Sequence, residues 1–172
     1  MSCSRRSVLL AGLFAAGCGF RPLYGPGGGG DDLAGQVSLE GVSGRLGYAF
    51  RDRLRRRLGE PGPDPRYVLD VAISTAQEGL LISRTDDVTR FDVEGIARFT
   101  LRRRADGVAV SEGVARSVSA YSTLASPYAT RIAERDAERR VAEDLAERVF
   151  ARIAALPVRG PAEAPFPPDP EA

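Results

Sequence analysis

The chain of 172 residues contains no histidine and no tryptophan. It contains no lysine and no asparagine either, so all 24 basic residues are arginine. Without imidazole, the commonest metal ligand and the usual general base near neutral pH are missing. Serine-, cysteine- and metal-dependent mechanisms that run through histidine are therefore excluded. The joint absence of lysine and asparagine is what a GC-rich coding sequence produces, so the arginine excess needs no function of its own. Cysteine occurs only as Cys3 and Cys18, which rules out a disulfide framework and a four-cysteine zinc site. Charge of one sign is lacking: 24 basic against 23 acidic residues leave a net charge of +1, and no electrostatic footprint of a nucleic-acid binder. The length excludes a large α/β barrel, which needs roughly 250 residues. What remains is ordinary: 43% hydrophobic and 27% charged residues suit one globular domain with room for a tail.

Residues 1–17 read as an export signal, with Arg5 and Arg6 before a short apolar run at 8–16. The run is far short of the roughly 20 residues that span a bilayer. Ala15-Ala16-Gly17-Cys18 places small residues before a cysteine, the pattern of a bacterial lipoprotein cleavage site. Cleavage there makes Cys18 the first mature residue and the point of acylation. The only other cysteine is removed with the signal, which leaves Cys18 as the one mature thiol. Ser4-Arg5-Arg6-Ser7 fits a twin-arginine signal and a general secretory one alike. Residues 25–32, rich in glycine, read as a tether, so that 18–33 forms an acylated N-terminus and spacer.

The folded part is expected over 34–156. Residues 36–42 predict a first strand, and Leu46, Phe50, Leu54 and Leu58 mark one face of a helix over 45–58. Alternation of Tyr67, Leu69, Val71 and Ile73 predicts a half-buried second strand that continues through Leu81 and Ile82. Thr85-Asp86-Asp87 reads as a turn. A third strand alternates Phe91, Val93, Ala97, Phe99 and Leu101 against charged residues, with Gly95 as a candidate bulge. Ala105-Asp106-Gly107 turns the chain into a fourth strand, whose even positions carry Val108, Val110, Val114 and Val118. Ser126-Pro127 opens a long helix to Leu156. The apolar arc of that helix widens in its second half at Ala142, Ala146 and Phe150, so the helix either wraps a twisted sheet or meets a partner there. Residues 157–172 hold six of the twelve prolines and read as a disordered tail. This order predicts an α/β (α+β) two-layer sandwich, a mostly antiparallel four-stranded sheet with two helices on one face. The other sheet face, with Asp70, Asp92, Glu94, Arg98 and Arg102, should meet water or a polar partner.

Several runs resemble the LptE family of lipopolysaccharide-assembly lipoproteins, in its alphaproteobacterial branch. They are Cys18-Gly19-Phe20-Arg21-Pro22-Leu23-Tyr24, the stretch 45–54 in the first helix, Tyr121-Ser122, Ser126-Pro127-Tyr128-Ala129, and Asp136-Ala137-Glu138-Arg139-Arg140. The resemblance covers roughly residues 18–156. It implies a non-catalytic lipoprotein at the periplasmic face of the outer membrane, which plugs and supports a large LptD-like β-barrel and assists lipopolysaccharide insertion into the outer leaflet. Gly19, where enterobacterial inner-membrane lipoproteins carry Asp, agrees with that location. The implied partners are the barrel, lipopolysaccharide, and the membrane through acylated Cys18, without nucleic acid.

No catalytic constellation, metal set or cofactor motif appears. The acidic pairs at 31–32 and 86–87 fit solvated turns. Arginine clusters are the only candidate ligand chemistry, since guanidinium grips phosphate in bidentate fashion and lipid A carries phosphates. Arg51, Arg53, Arg55, Arg56 and Arg57 crowd the first helix, where a solvated face accounts for them. Arg98 and Arg102, with Arg103 and Arg104 at the strand end, are the candidate phosphate patch. Two other classes stay open: an auxiliary lipoprotein of an ABC lipid transporter, and a periplasmic enzyme built on a close carboxylate pair.

Overall fold

A computed structural model describes residues 29–82, 88–123 and 125–155. The signal, Cys18, most of the tether, the turn at 85–87, Leu156 and the tail lie outside the described residues. One helical turn, Gly29–Asp32, precedes β1 (Val37–Glu40), α1 (Gly44–Leu58), β2 (Tyr67–Ile82), β3 (Val88–Arg103), β4 (Ala109–Ser122) and α2 (Pro127–Ala154). The sheet runs in the order β1-β2-β3-β4. β1 is parallel to β2, with Val37 opposite Tyr67, and the other pairings are antiparallel. The architecture is the expected α+β one, a mostly antiparallel sheet with two helices.

The period of two along the strands decides which sheet face the helices cover. Leu69, Val71, Val93, Ala97, Phe99, Leu101 and Ala115 are all buried and all odd-numbered. Register stacks them in rows such as Val71–Phe99 and Ile73–Ala97–Ala115. From the helices come Phe50, Leu54 and Leu58 of α1, and Val141, Leu145, Val149 and Ile153 of α2, each buried. The two helices lie side by side and parallel: Arg45 pairs with Glu138, and Arg53 and Arg57 pair with Glu147. The widened apolar arc of α2 thus has its explanation in α1, which shares that flank of the helix.

β1 is shorter than expected, because the chain leaves it at Gly41 with φ 76°. A Cβ on Gly41 would lie 2.4 Å from Asp70 Oδ1 and 3.0 Å from the Val71 carbonyl, so a side chain has no room at this turn. α2 begins as its sequence dictates, with the Ser126 hydroxyl accepting from the Ala129 N–H at 3.5 Å and Pro127 in the first turn.

One expectation changes. Gly95 is no bulge: Thr75, Gly95 and Ser117 stay in register, and the irregularities fall at 79–82 and between Leu101 and Arg102. Gly95 instead admits α2. A Cβ there would sit 2.2 Å from Val141 Cγ1 and 3.1 Å from Leu145 Cδ1. The valines of β4 face away from the core. Val110, Val114 and Val118 are exposed, the last at 61%, and Val108 precedes the strand and is exposed as well. The β3–β4 register sets Val114 beside Arg98 and Val118 beside Glu94, on the helix-free face. The small side chains of Ala115 and Ser117 occupy the covered face, where α2 approaches.

Candidate functional site

The helix-free sheet face holds the expected arginines, and the alternation of β3 puts them there. Arg98 and Arg102 are four residues apart on one strand, so they share a face. Both are exposed, and neither has an ion-pair partner among the described residues. Arg98 opens onto a shallow groove of about 480 Å³, which Asp70, Thr100, Glu112 and Val114 also line. Arg103 and Arg104 are engaged elsewhere. Arg103 holds Asp106 at 2.9 Å in the β3–β4 turn, and Arg104 Nη2 donates to Ser38 Oγ at 3.0 Å across the sheet. Glu94 and Arg116 approach to 3.4 Å on the same open face. The face as a whole mixes Asp70, Glu78, Asp92, Glu94 and Glu112 with Arg90, Arg98, Arg102 and Arg116. It is not strongly basic, and Arg90, Arg98 and Arg102 are its cations without an ion-pair partner among the described residues.

The positive charge is concentrated in the helical layer. α1 and α2 together carry twelve arginines and seven carboxylates, an excess of five. Sequence reading attributes the arginines of α1 to a solvated face, and the structure gives several of them partners. Arg51 donates to the Val42 carbonyl, Arg56 pairs with Asp52, and Arg55 reaches Glu60 at 3.5 Å. Arg53 and Arg57 both bond Glu147. Burial works against the Glu147 charge, but hydrogen bonds from Arg57 and Arg53 outweigh it and hold the carboxyl below its ordinary value. Asp144 behaves alike: burial opposes ionisation, and bonds from Ser117 and Arg148 overcome it. These carboxylates are structural, each spent on guanidinium or hydroxyl donors.

At the far end of the sheet, Phe91 and Tyr121 stack with ring centroids 5.4 Å apart. Burial, helped by the nearby charges of Glu134 and Glu138, pushes the Tyr121 hydroxyl up, so it stays protonated. Among the described residues no three carboxylate or thiol side chains gather where a metal could sit. No described helix is long and apolar enough to cross a membrane.

Sequence reading missed the exposed aromatic residues of the helical layer, Tyr48 and Tyr128, with Ile132 beside them. Their helical positions were legible, but the exposure of Tyr128 and Ile132 follows from the mismatch between a 15-residue α1 and a 28-residue α2.

Comparison with known proteins covers the same ground as this fold. Solved structures share it at low identity. A putative lipoprotein from Caulobacter crescentus CB15 is 21% identical with a TM-score of 0.61, over 73% of this chain and 93% of that one. The rare lipoprotein B from Shewanella oneidensis is 16% identical with a TM-score of 0.52, over 69% and 92%. A minor lipoprotein from Acinetobacter baumannii is 20% identical with a TM-score of 0.53, over 69% and 88%. No curated protein sequence matches the chain. The family model described as "LptE: Lipopolysaccharide-assembly" matches residues 34–153, from just before β1 to the last turn of α2. With all four strands, α1 and all but the last residue of α2 inside that match, the chain belongs to the LptE lipopolysaccharide-assembly family.

Proposed function

We propose that this chain is a non-catalytic, lipid-anchored component of lipopolysaccharide assembly, which sits within and supports an outer-membrane β-barrel while lipopolysaccharide passes to the outer leaflet. The observation that carries the reading is the family match over residues 34–153, which takes in both layers of the sandwich. The spent carboxylates of the helical layer agree with a binding role, because a general acid or base needs a free carboxyl at a cleft. Acylated Cys18 would hold the domain at the membrane, and residues 19–33 would set its reach. Anchoring of this kind raises the effective concentration of the domain near the barrel without adding a contact.

The deciding experiment is affinity purification of the tagged chain from detergent-solubilised membranes. The translocon barrel should co-purify, and the recovered chain should begin at Cys18 with added acyl mass. Recovery with an inner-membrane ATPase instead would overturn the assignment. So would an unmodified Cys18 in a soluble chain for the anchor.

Within this reading, Arg98 and Arg102 are the groups on the open sheet face that would grip lipid A phosphate. Charge reversal at both, Arg98→Glu with Arg102→Glu, should weaken binding to purified lipid A by roughly tenfold or more, with a steep salt dependence. The melting temperature should hold, because both side chains point away from Phe99 and Leu101. Unchanged lipid A binding would remove these two residues from the mechanism.

A further inference from the structure

α2 outruns α1. The Arg45–Glu138 pair marks where α1 begins alongside it, so the turns of α2 from Pro127 to Ala137 project beyond the shorter helix. That overhang is about 16 Å long at 1.5 Å per residue. Along α2, the positions 128, 132, 135, 139, 142, 146, 150 and 153 follow one another at steps of three and four and form a single stripe. Beside α1 the stripe is core: Ala142, Ala146, Phe150 and Ile153 are buried. Past the start of α1 the same stripe emerges as Tyr128, 75% exposed, and Ile132, 44% exposed. Tyr48 of α1 stands beside it at 73% exposure.

The step between the two helices is a cleft of about 340 Å³, with Leu46, Ala49 and Ile132 inside and Arg45, Tyr48, Arg135, Asp136 and Arg139 around it. Arg45 and Arg139 are neutralised by Glu138, and by Asp136 and Glu143. Arg131 and Arg135 have no partner among the described residues. The overhang therefore offers an apolar slot, two aromatic flanks and two uncompensated guanidiniums, while its one carboxylate without a cation among the described residues, Glu134, is engaged by Gln77 of β2 at 2.8 Å.

We infer that the overhang is the seat of an acidic protein segment from the barrel partner, which lies on α2 in line with α1, fills the step with an apolar side chain and turns carboxylates toward Arg131 and Arg135. The inference rests on the reading of the chain as a barrel-bound assembly factor. Tyrosine and arginine around a pocket that takes one anchor side chain are the composition of a protein hot spot. The free positive charges specify the sign of the occupant. The recessed shape favours a segment with a side chain to insert over a flat lipid surface.

The test uses the full-length tagged chain in membranes, with the translocon barrel measured in the purified material. The native chain should bring the barrel down. Arg131→Glu with Arg135→Glu should lower barrel recovery by roughly tenfold, and Tyr128→Ala should lower it separately, with melting temperature unchanged since all three side chains are exposed. Native recovery with no loss in either variant overturns the overhang as the seat and leaves the assembly reading standing. No recovery with the native chain overturns both. If the double variant keeps the barrel but loses binding to phosphatidylglycerol vesicles, the face belongs to lipid and the inference is wrong.

Discussion

Glu147 ties the two helices together with one carboxylate, which accepts from Arg53 and from Arg57, the latter at 3.0 Å. Its folded proton affinity lies below the ordinary value of 4.5 because the charged form keeps those bonds. A depressed carboxyl contributes stability that is fully present above the unfolded value and is lost as pH falls through the folded one. Glu147→Gln should therefore cost about 1 kcal/mol near neutral pH, a modest figure because solvent partly screens the cluster. The difference between variant and native chain should close as pH drops below the ordinary carboxyl value of 4.5. Urea unfolding of both chains across that range measures it; a pH-independent difference would show that the pair of guanidiniums does not act through charge. At this scale the sequence is a poor guide. It displays Arg53, Arg57 and Glu147 as three ordinary surface residues, 90 or more positions apart where they meet. It likewise leaves Arg103 and Arg104 as further candidates beside Arg98 and Arg102, although Asp106 and Ser38 occupy those two.

Among the elements, β3 and α2 are fitted to each other at Gly95. The helix side chain Val141 occupies the space that a Cβ would need, 2.2 Å from its position. Gly95→Ala should destabilise the fold by about 2 kcal/mol through overpacking. Adding Val141→Ala should recover part of that loss, since the second change removes the offending methyl groups. A double-mutant cycle by urea unfolding reads the coupling; independent, additive effects would mean that α2 rides higher over the sheet than the structure has it. The elements themselves were legible wherever period and punctuation agree. Leu46, Phe50, Leu54 and Leu58 announce α1, Ser126-Pro127 announces α2, and alternation announces β2 and β3. β4 is less legible because its covered face carries small residues and its open face carries valines. A hydrophobic pattern identifies a strand there but does not say which face the helices cover, and pairing with β3 sets the side.

For the whole molecule, the layout has two poles. Leu33 is buried near the end of α1, where Gly35 donates to the Leu58 carbonyl at 2.7 Å, and α2 finishes at the same pole. The opposite pole holds the start of α2 and the distal ends of β2 and β4, as the 2.8 Å bond from Gln77 to Glu134 shows. β2 and β3, 16 residues each, run between the poles for roughly 50 Å. This polarity has a mechanical side. A domain held by its N-terminal end at one pole and gripped at the overhang on the other would carry tension along its strands. Ladder hydrogen bonds lie across that direction, so the load would fall on many of them together, in shear, rather than on one after another as in unzipping. The sheet would then also be the member that keeps the domain from being drawn out of shape under that load.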